Sequence, residues 1–146
     1  MLLAGAALGP SVDVAWQWAA AIPSVRAERV MVLVLSGETT AASAELDDLA
    51  RDGFRQVTRD IGYLFTLGRL AQAAVALGRR EVAAALYDRL LPYATFCAVN
   101  GMSLGIGSVA YYLGLLARYL EKPAEAHADL DELLRKHPAI DGPGYV

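Results

Sequence analysis

Apolar residues recur along this 146-residue chain at spacings of three and four, which is the pattern of helices that bury one face. Ala42, Leu46 and Leu49 show the pattern in one segment. No segment alternates apolar and polar residues between turn signals. The pattern therefore predicts an all-α chain without strands.

Seven helices are predicted, and prolines, glycines and capping residues set their ends. Pro23 stops the first helix, and Ser24 is the expected N-cap of the second. After the third helix we expect Gly53 to be left-handed, with Phe54 folded back onto Leu49. The helices are expected over residues 12–21, 24–35, 39–51, 60–77, 80–94, 102–120 and 123–137.

Very short links join the second helix to the third, the fourth to the fifth and the sixth to the seventh, which predicts three antiparallel hairpins. Each hairpin has a small residue followed four and seven positions later by large apolar ones, so we expect a repeat. These residues are Ala42, Leu46 and Leu49; Ala83, Tyr87 and Leu90; and Ala126, Leu130 and Leu133. The expected domains are a leading helix over 1–22, a repeat domain over 23–138 with hairpins at about 24–53, 58–95 and 102–137, and a flexible tail over 139–146.

The third hairpin agrees best with the tetratricopeptide motif. Leu113-Gly114 corresponds to the Leu-Gly pair of that motif, Ala126 to its central alanine and Pro138 to its closing proline. Because Gly114 and Ala126 lack bulk, we expect their two helices to approach closely. The expected fold is a tetratricopeptide-like α–α superhelix, with a seam of small residues on the sixth helix at Gly107, Ala110, Gly114 and Ala117.

Two sequence blocks carry a more specific resemblance. They are Leu90-Leu91-Pro92-Tyr93-Ala94, and Gly107-Ser108-Val109 followed by Tyr112-Leu113-Gly114-Leu115-Leu116-Ala117. From about Ile22 to Leu134 the chain resembles the C-terminal helical-repeat region of large bacterial signalling regulators. In those proteins an AAA or STAND-type ATPase module precedes the repeats, and a class III nucleotide cyclase or a LuxR-type DNA-binding domain is the input or output. The resemblance implies a protein-interaction or regulatory scaffold.

The chain also departs from that family. It contains no Gly-x-x-x-x-Gly-Lys-Ser/Thr phosphate loop. Thr95-Phe96-Cys97 stands where the family continues with a glycine and a basic residue. We therefore expect a stand-alone piece of the repeat region. A second hypothesis is a small-ligand sensor, or a fragment of a multidomain ATPase or cyclase, with a pocket between hairpins two and three.

Composition limits the classes of partner. The chain has 16 acidic and 13 basic residues, a formal net charge of −3, which disfavours a nucleic-acid partner. No apolar run reaches the roughly 18 residues of a membrane span. No basic segment precedes the apolar run Met1–Leu8, so a secretory signal is not expected. With Cys97 as the single cysteine, we expect no intrachain disulfide and a cytoplasmic location.

Candidate chemistry is sparse, so we expect no enzyme, cofactor or metal site. Cys97 has no histidine near it in sequence and is interpreted as structural. His127 and His137 are ten positions apart, whereas zinc ligands on one helix face are three or four apart. The glycines of Gly105–Ser108 lack the strand and lysine of a phosphate loop, which favours the start of a helix.

We expect the first helix of each hairpin to line a partner-binding groove, since tyrosine and arginine are frequent in binding hot spots. Tyr111 and Tyr119 can equally be core residues. The lysine and asparagine set with which co-chaperone repeats bind a C-terminal carboxylate is missing. The expected groove residues are Met31, Phe65, Gln72, Ser108, Tyr111, Leu115, Arg118 and Tyr119.

The two ends of the array are expected to differ. A repeat array needs polar terminal surfaces, and the seventh helix supplies Glu125, Asp129 and Arg135 on its outer side. The other end carries Trp16 and Trp18. Because large exposed apolar patches usually bind a partner, we expect this end to form a homodimer or to bind another domain.

Overall fold

A computed structural model describes residue 17 and residues 20–100 and 104–136, and this part of the chain is mostly helical, as predicted. Nearly all of the first predicted helix, over residues 12–21, lies outside the described residues. The α-helices are α1 (Pro23–Leu35), α2 (Thr39–Ala50), α3 (Tyr63–Ala76), α4 (Arg80–Leu90), α5 (Val109–Tyr119) and α6 (Ala124–Lys136).

The helices pair in chain order as three hairpins. α1 packs against α2, α3 against α4, and α5 against α6. The first helices also pack against one another, because α3 contacts α1 on one side and α5 on the other. α3 is therefore the central helix of the described structure, which explains why nine of its residues are buried.

All three hairpins turn in the same way. Gly37, Gly78 and Glu121 have φ values of 79°, 68° and 56°, and we call them the turn residues. The N–H of each donates to the carbonyl three residues back, and the next N–H donates to the carbonyl five residues back, at 2.8 to 3.2 Å. This is the Schellman arrangement, in which a left-handed residue satisfies the last carbonyls of a helix.

The turn residues fix which positions of the hairpins are equivalent. Ala42, Ala83 and Ala126 each lie five residues after the turn residue of their own hairpin, so the alignment on alanines holds in the structure. The leucines before the turns are not all equivalent, because Leu35 lies two residues before its turn residue, whereas Leu77 and Leu120 each lie one residue before theirs.

A basic residue directly after the turn residue joins each later hairpin to the one before it. Arg79 forms an ion pair with Asp47 on α2. Lys122 Nζ lies 4.7 Å from the centre of the Tyr87 ring on α4. Counted from the turn residues, Asp47 and Tyr87 are one position apart, so nearly the same contact occurs twice.

Two short strands contradict the prediction that the chain has none. β1 (Cys97–Asn100) pairs antiparallel with β2 (Leu104–Ser108). They lie between α4 and α5, and β1 packs against the central helix α3. The strand pairing satisfies backbone groups of β2, for which a helix was predicted, and of β1, which was predicted to be a link between helices.

The sixth predicted helix is therefore too long at its start. It begins at Val109 as α5, not at residue 102. Gly107 lies in β2 with a φ of 113°, so it is not part of a helical seam. A Cβ added at Gly114 would meet no atom within 4 Å, so the expected close approach of helices at this glycine is also wrong.

Other helix ends differ by a few residues. Pro23 is the first residue of α1, where its missing N–H costs nothing, and Ile22 rather than Ser24 is the N-cap. α4 ends at Leu90 because Pro92 follows within a short 3₁₀ helix. Gly53 is left-handed, as predicted, with a φ of 67°.

An arginine also holds the first hairpin together. Arg26 on α1 donates hydrogen bonds of 2.6 Å to both Glu45 and Asp48 on α2. The bond from Arg26 keeps the pKa of the Asp48 carboxyl below its usual value. The Arg26 side chain is largely shielded from solvent. Its attraction to the two carboxylates is therefore screened less by water than that of a surface ion pair.

Candidate functional site

Equivalent positions of the three first helices form a row across the molecule. Glu28, Arg69 and Tyr112 each lie nine residues before their turn residue, and we call them the ladder. Arg69 Nε donates a hydrogen bond of 2.6 Å to Glu28 Oε1. Tyr112 is buried, and burial raises the pKa of its hydroxyl to about 12, whereas the smaller effect of the Arg69 charge lowers that pKa.

A second row lies three residues further along the same helices, one turn from the ladder. It consists of Met31, Gln72 and Leu115, and each of these is half-buried. Arg69 Nη1 joins the two rows through a hydrogen bond of 3.2 Å to Gln72 Oε1. We call the two rows together the first-helix face.

Three of the residues expected in the groove are thus at equivalent positions on this face: Met31, Gln72 and Leu115. Sequence reasoning missed the ladder, although one signal was present. Counting back from the glycines at the first two turns places Glu28 and Arg69 at the same helical position with opposite charges. The left-handed turn at Glu121 is not evident from sequence, since glutamate rarely adopts this conformation.

Phe65 and Ser108 do not fit the expectation that they line an open groove. Phe65 is fully buried, and the guanidinium of Arg69 lies 5.4 Å from the centre of its ring. Ser108 is also buried and caps α5, with its Oγ accepting a hydrogen bond of 3.1 Å from the N–H of Ala110. Because both side chains are buried, neither is available to a partner.

Tyr111 and Arg118 are exposed on α5, but their position differs from that of a groove lining. Tyr111 is equivalent to Ala27 and Gly68, which are buried in the first two hairpins. The two residues therefore belong to the side of hairpin three that faces away from hairpin two. Tyr119 is half-buried, with its hydroxyl 3.9 Å from where a Gly78 Cβ would lie.

The remaining candidates form no reactive constellation in the described ranges. No group of three histidine, cysteine, aspartate or glutamate residues there could hold a metal ion. Cys97 is half-buried in β1 and His127 half-buried in α6. His137, Trp16 and Trp18 lie outside the described residues. No helix among those described is long and apolar enough to cross a membrane.

Comparison of the chain with protein-family models, with curated proteins and with solved structures finds no match. The first-helix face and the exposed sides of the hairpins are the features of the described structure that bear on function.

Proposed function

We propose that the chain is a tetratricopeptide-like scaffold module that binds another protein across its first-helix face. The first-helix face carries the proposal, because its partly exposed Glu28–Arg69 pair and its half-buried second row extend across three successive first helices. A surface of this kind can follow an extended partner segment from one hairpin to the next.

The chemistry of the face suits recognition of a polypeptide. Met31 and Leu115 offer half-buried apolar surface on either side of the Gln72 amide. The Arg69 guanidinium has five donors in a planar fork, and two of them already hold Glu28 and Gln72 in place. A partner can therefore meet a preorganised polar centre between two apolar positions, which lowers the entropic cost of binding.

The resemblance to the repeat regions of bacterial signalling regulators supports the same proposal. In that setting the chain acts in the cytoplasm as a regulatory module, with no catalytic step of its own. Its partner is another protein or domain, such as the modules that accompany these repeats.

The test is site-specific photo-crosslinking from the first-helix face. A photoreactive residue at Gln72 is expected to capture a partner, whereas the same residue at the exposed Arg135 on α6 is not. The captured partner is then bound to purified variants. We expect Arg69→Ala with Leu115→Ala to weaken binding at least tenfold, about 1.4 kcal/mol, and Arg135→Ala to leave it unchanged.

Two results would contradict the proposal. The first is a partner whose affinity does not depend on Arg69 or Leu115. The second is a small metabolite that raises the melting temperature strongly, since a ligand that binds only the folded state stabilises it in proportion to its affinity. That result would favour the sensor hypothesis.

A further inference from the structure

One side of the first helix is buried in hairpins one and two but exposed in hairpin three. Ten residues before their turn residues, Ala27 on α1 and Gly68 on α3 are buried, whereas the equivalent Tyr111 on α5 is 51% exposed. Seven before, Val30 and Ala71 are buried, whereas the equivalent Gly114 has nothing within 4 Å of an added Cβ.

The second helices show the same contrast. Ala42 and Ala83 are fully buried, but the equivalent Ala126 on α6 is only half-buried. Twelve residues after the turn residue, Leu49 and Leu90 are fully buried, and the equivalent Leu133 is half-buried.

The following hairpin explains the difference. α3 packs against α1, and α5 packs against both α3 and α4, so each of the first two hairpins is covered by the next. In the part of the chain that the structure describes, no element follows α6. We call the resulting open surface the C-terminal face, and it consists of Tyr111, Gly114, Arg118, Ala126 and Leu133.

We infer that the C-terminal face binds a further helical hairpin, and that this hairpin carries a basic residue directly after its turn residue. The partner is inferred to be a hairpin because the equivalent faces of hairpins one and two are each covered by the next hairpin. The charge is inferred from the interface between hairpins one and two alone, because Asp131 lies ten residues after its turn residue, as Asp47 does. Asp47 pairs with Arg79 of the next hairpin. Asp131 is exposed and has no ion-pair partner within the described ranges.

The same contact argues against a second copy of this chain as the occupant. In a head-to-tail pair, the first hairpin of one copy would cover the C-terminal face of the other. Its residue after the turn is Glu38, which occupies the place of Arg79 and Lys122. Glu38 would then lie beside Asp131, and two like charges in contact are unfavourable.

This inference goes beyond the proposed function, because the C-terminal face is separate from the first-helix face. The test uses the full chain with a copy of its own residues 58–96 appended after Val146. The reporter is Gly114→Cys in a Cys97→Ser background, labelled with a thiol reagent. Cysteine fits the site, since its side chain is intermediate in size between the equivalent Ala71 and Val30.

We expect the appended hairpin to slow labelling of the cysteine at position 114 at least tenfold. A cysteine at the exposed Ala85 on α4 is the control, and its labelling rate should not change. Asp131→Lys should restore fast labelling. Replacing the arginine of the copy that corresponds to Arg79 by glutamate should do the same, and the two changes together should restore protection.

An unchanged labelling rate overturns the inference. This holds even if the appended segment forms no helix, because we infer that binding to the C-terminal face makes that segment fold. Failure of the charge exchange overturns the role of Asp131. Protection already present without the appended hairpin also overturns the inference. It would identify a second copy if it rises with concentration, or the chain's own tail if deletion of residues 137–146 removes it.

Discussion

Arg69 donates a hydrogen bond of 2.6 Å to Glu28, and the two residues occupy the same position of successive hairpins. The ion pair therefore depends on the alignment of α1 with α3 as well as on the local attraction between the two charges. A shift of one residue between the hairpins would separate the two side chains around the helix by about 100°.

This pair should be measurably coupled. Both side chains are partly exposed, so we expect a coupling energy of about 0.5 to 1 kcal/mol in a double-mutant cycle of Glu28→Gln and Arg69→Met. Urea unfolding of the four proteins measures it. The Glu132–Lys136 pair on α6 is the control, and it should give about 0.3 to 0.5 kcal/mol, as exposed pairs within one helix do. A coupling near zero for Glu28 and Arg69 would mean that the pair does not hold the hairpins in register.

Arg26 should contribute more to the free energy of unfolding than Arg51, which also pairs with Asp48. Arg26→Met leaves the carboxylates of Glu45 and Asp48 without their shared cation, and we expect a loss of about 1 to 3 kcal/mol of unfolding free energy. Arg51 also pairs with Asp48, at 3.0 Å, but it is largely exposed. Arg51→Met should therefore change the unfolding free energy by no more than about 0.5 kcal/mol. Equal losses in the two variants would contradict the assignment of Arg26 as the link between α1 and α2.

Two glycines should respond to alanine in opposite directions. Gly114 lies inside α5 with open space beside it, so Gly114→Ala should stabilise the chain by up to about 1 kcal/mol through helix propensity. Gly78 has a φ of 68°, and Gly78→Ala should destabilise the chain by about 1 to 2 kcal/mol, because a residue with a Cβ is strained in the left-handed conformation. Thermal unfolding measures both changes. Destabilisation by Gly114→Ala would show that the helices do approach closely there.

Tyr112 should make stability fall at high pH. Burial raises the pKa of its hydroxyl to about 12, so the folded state holds this proton more tightly than the unfolded state, whose tyrosines titrate near 10. The contribution is complete below pH 10 and is lost as the pH rises towards 12, by about 2 to 3 kcal/mol. Unfolding free energies from pH 8 to pH 11.5 should fall more steeply for the native chain than for Tyr112→Phe. Parallel curves would rule out this role.

The opposite end of the array should associate. Val32 on α1 is 55% exposed, whereas its equivalents Ala73 and Leu116 are fully buried. We expect the apparent mass by light scattering to rise with concentration, and Val32→Glu to keep the chain monomeric. The matched control is Ile61→Glu, a change of the same kind at an exposed site on the link between α2 and α3.

The expected role of the two N-terminal tryptophans is tested in the same way. A variant that combines Trp16→Glu and Trp18→Glu should also remain monomeric. A native chain that is monomeric at every concentration, with both variants unchanged, would show that this end does not self-associate.

Local sequence determined the helices and their pairing, because helix periodicity and short links depend on neighbouring residues only. Ala42, Ala83 and Ala126 were enough to predict equivalent positions in three hairpins. The turns at Gly37 and Gly78 could likewise be read from glycines placed after apolar runs.

Tertiary packing decided the rest. The strands at Cys97–Asn100 and Leu104–Ser108 form where pairing and contact with α3 outweigh local preference, and the sequence analysis assigned much of this segment to a helix. Phe65 and Tyr111 were both predicted to line a groove. Phe65 proved buried, and Tyr111 lies on a side that the next hairpin would cover, because exposure depends on which hairpins stand on either side of a helix. The periodicity of a single helix does not show which hairpins lie on either side of it.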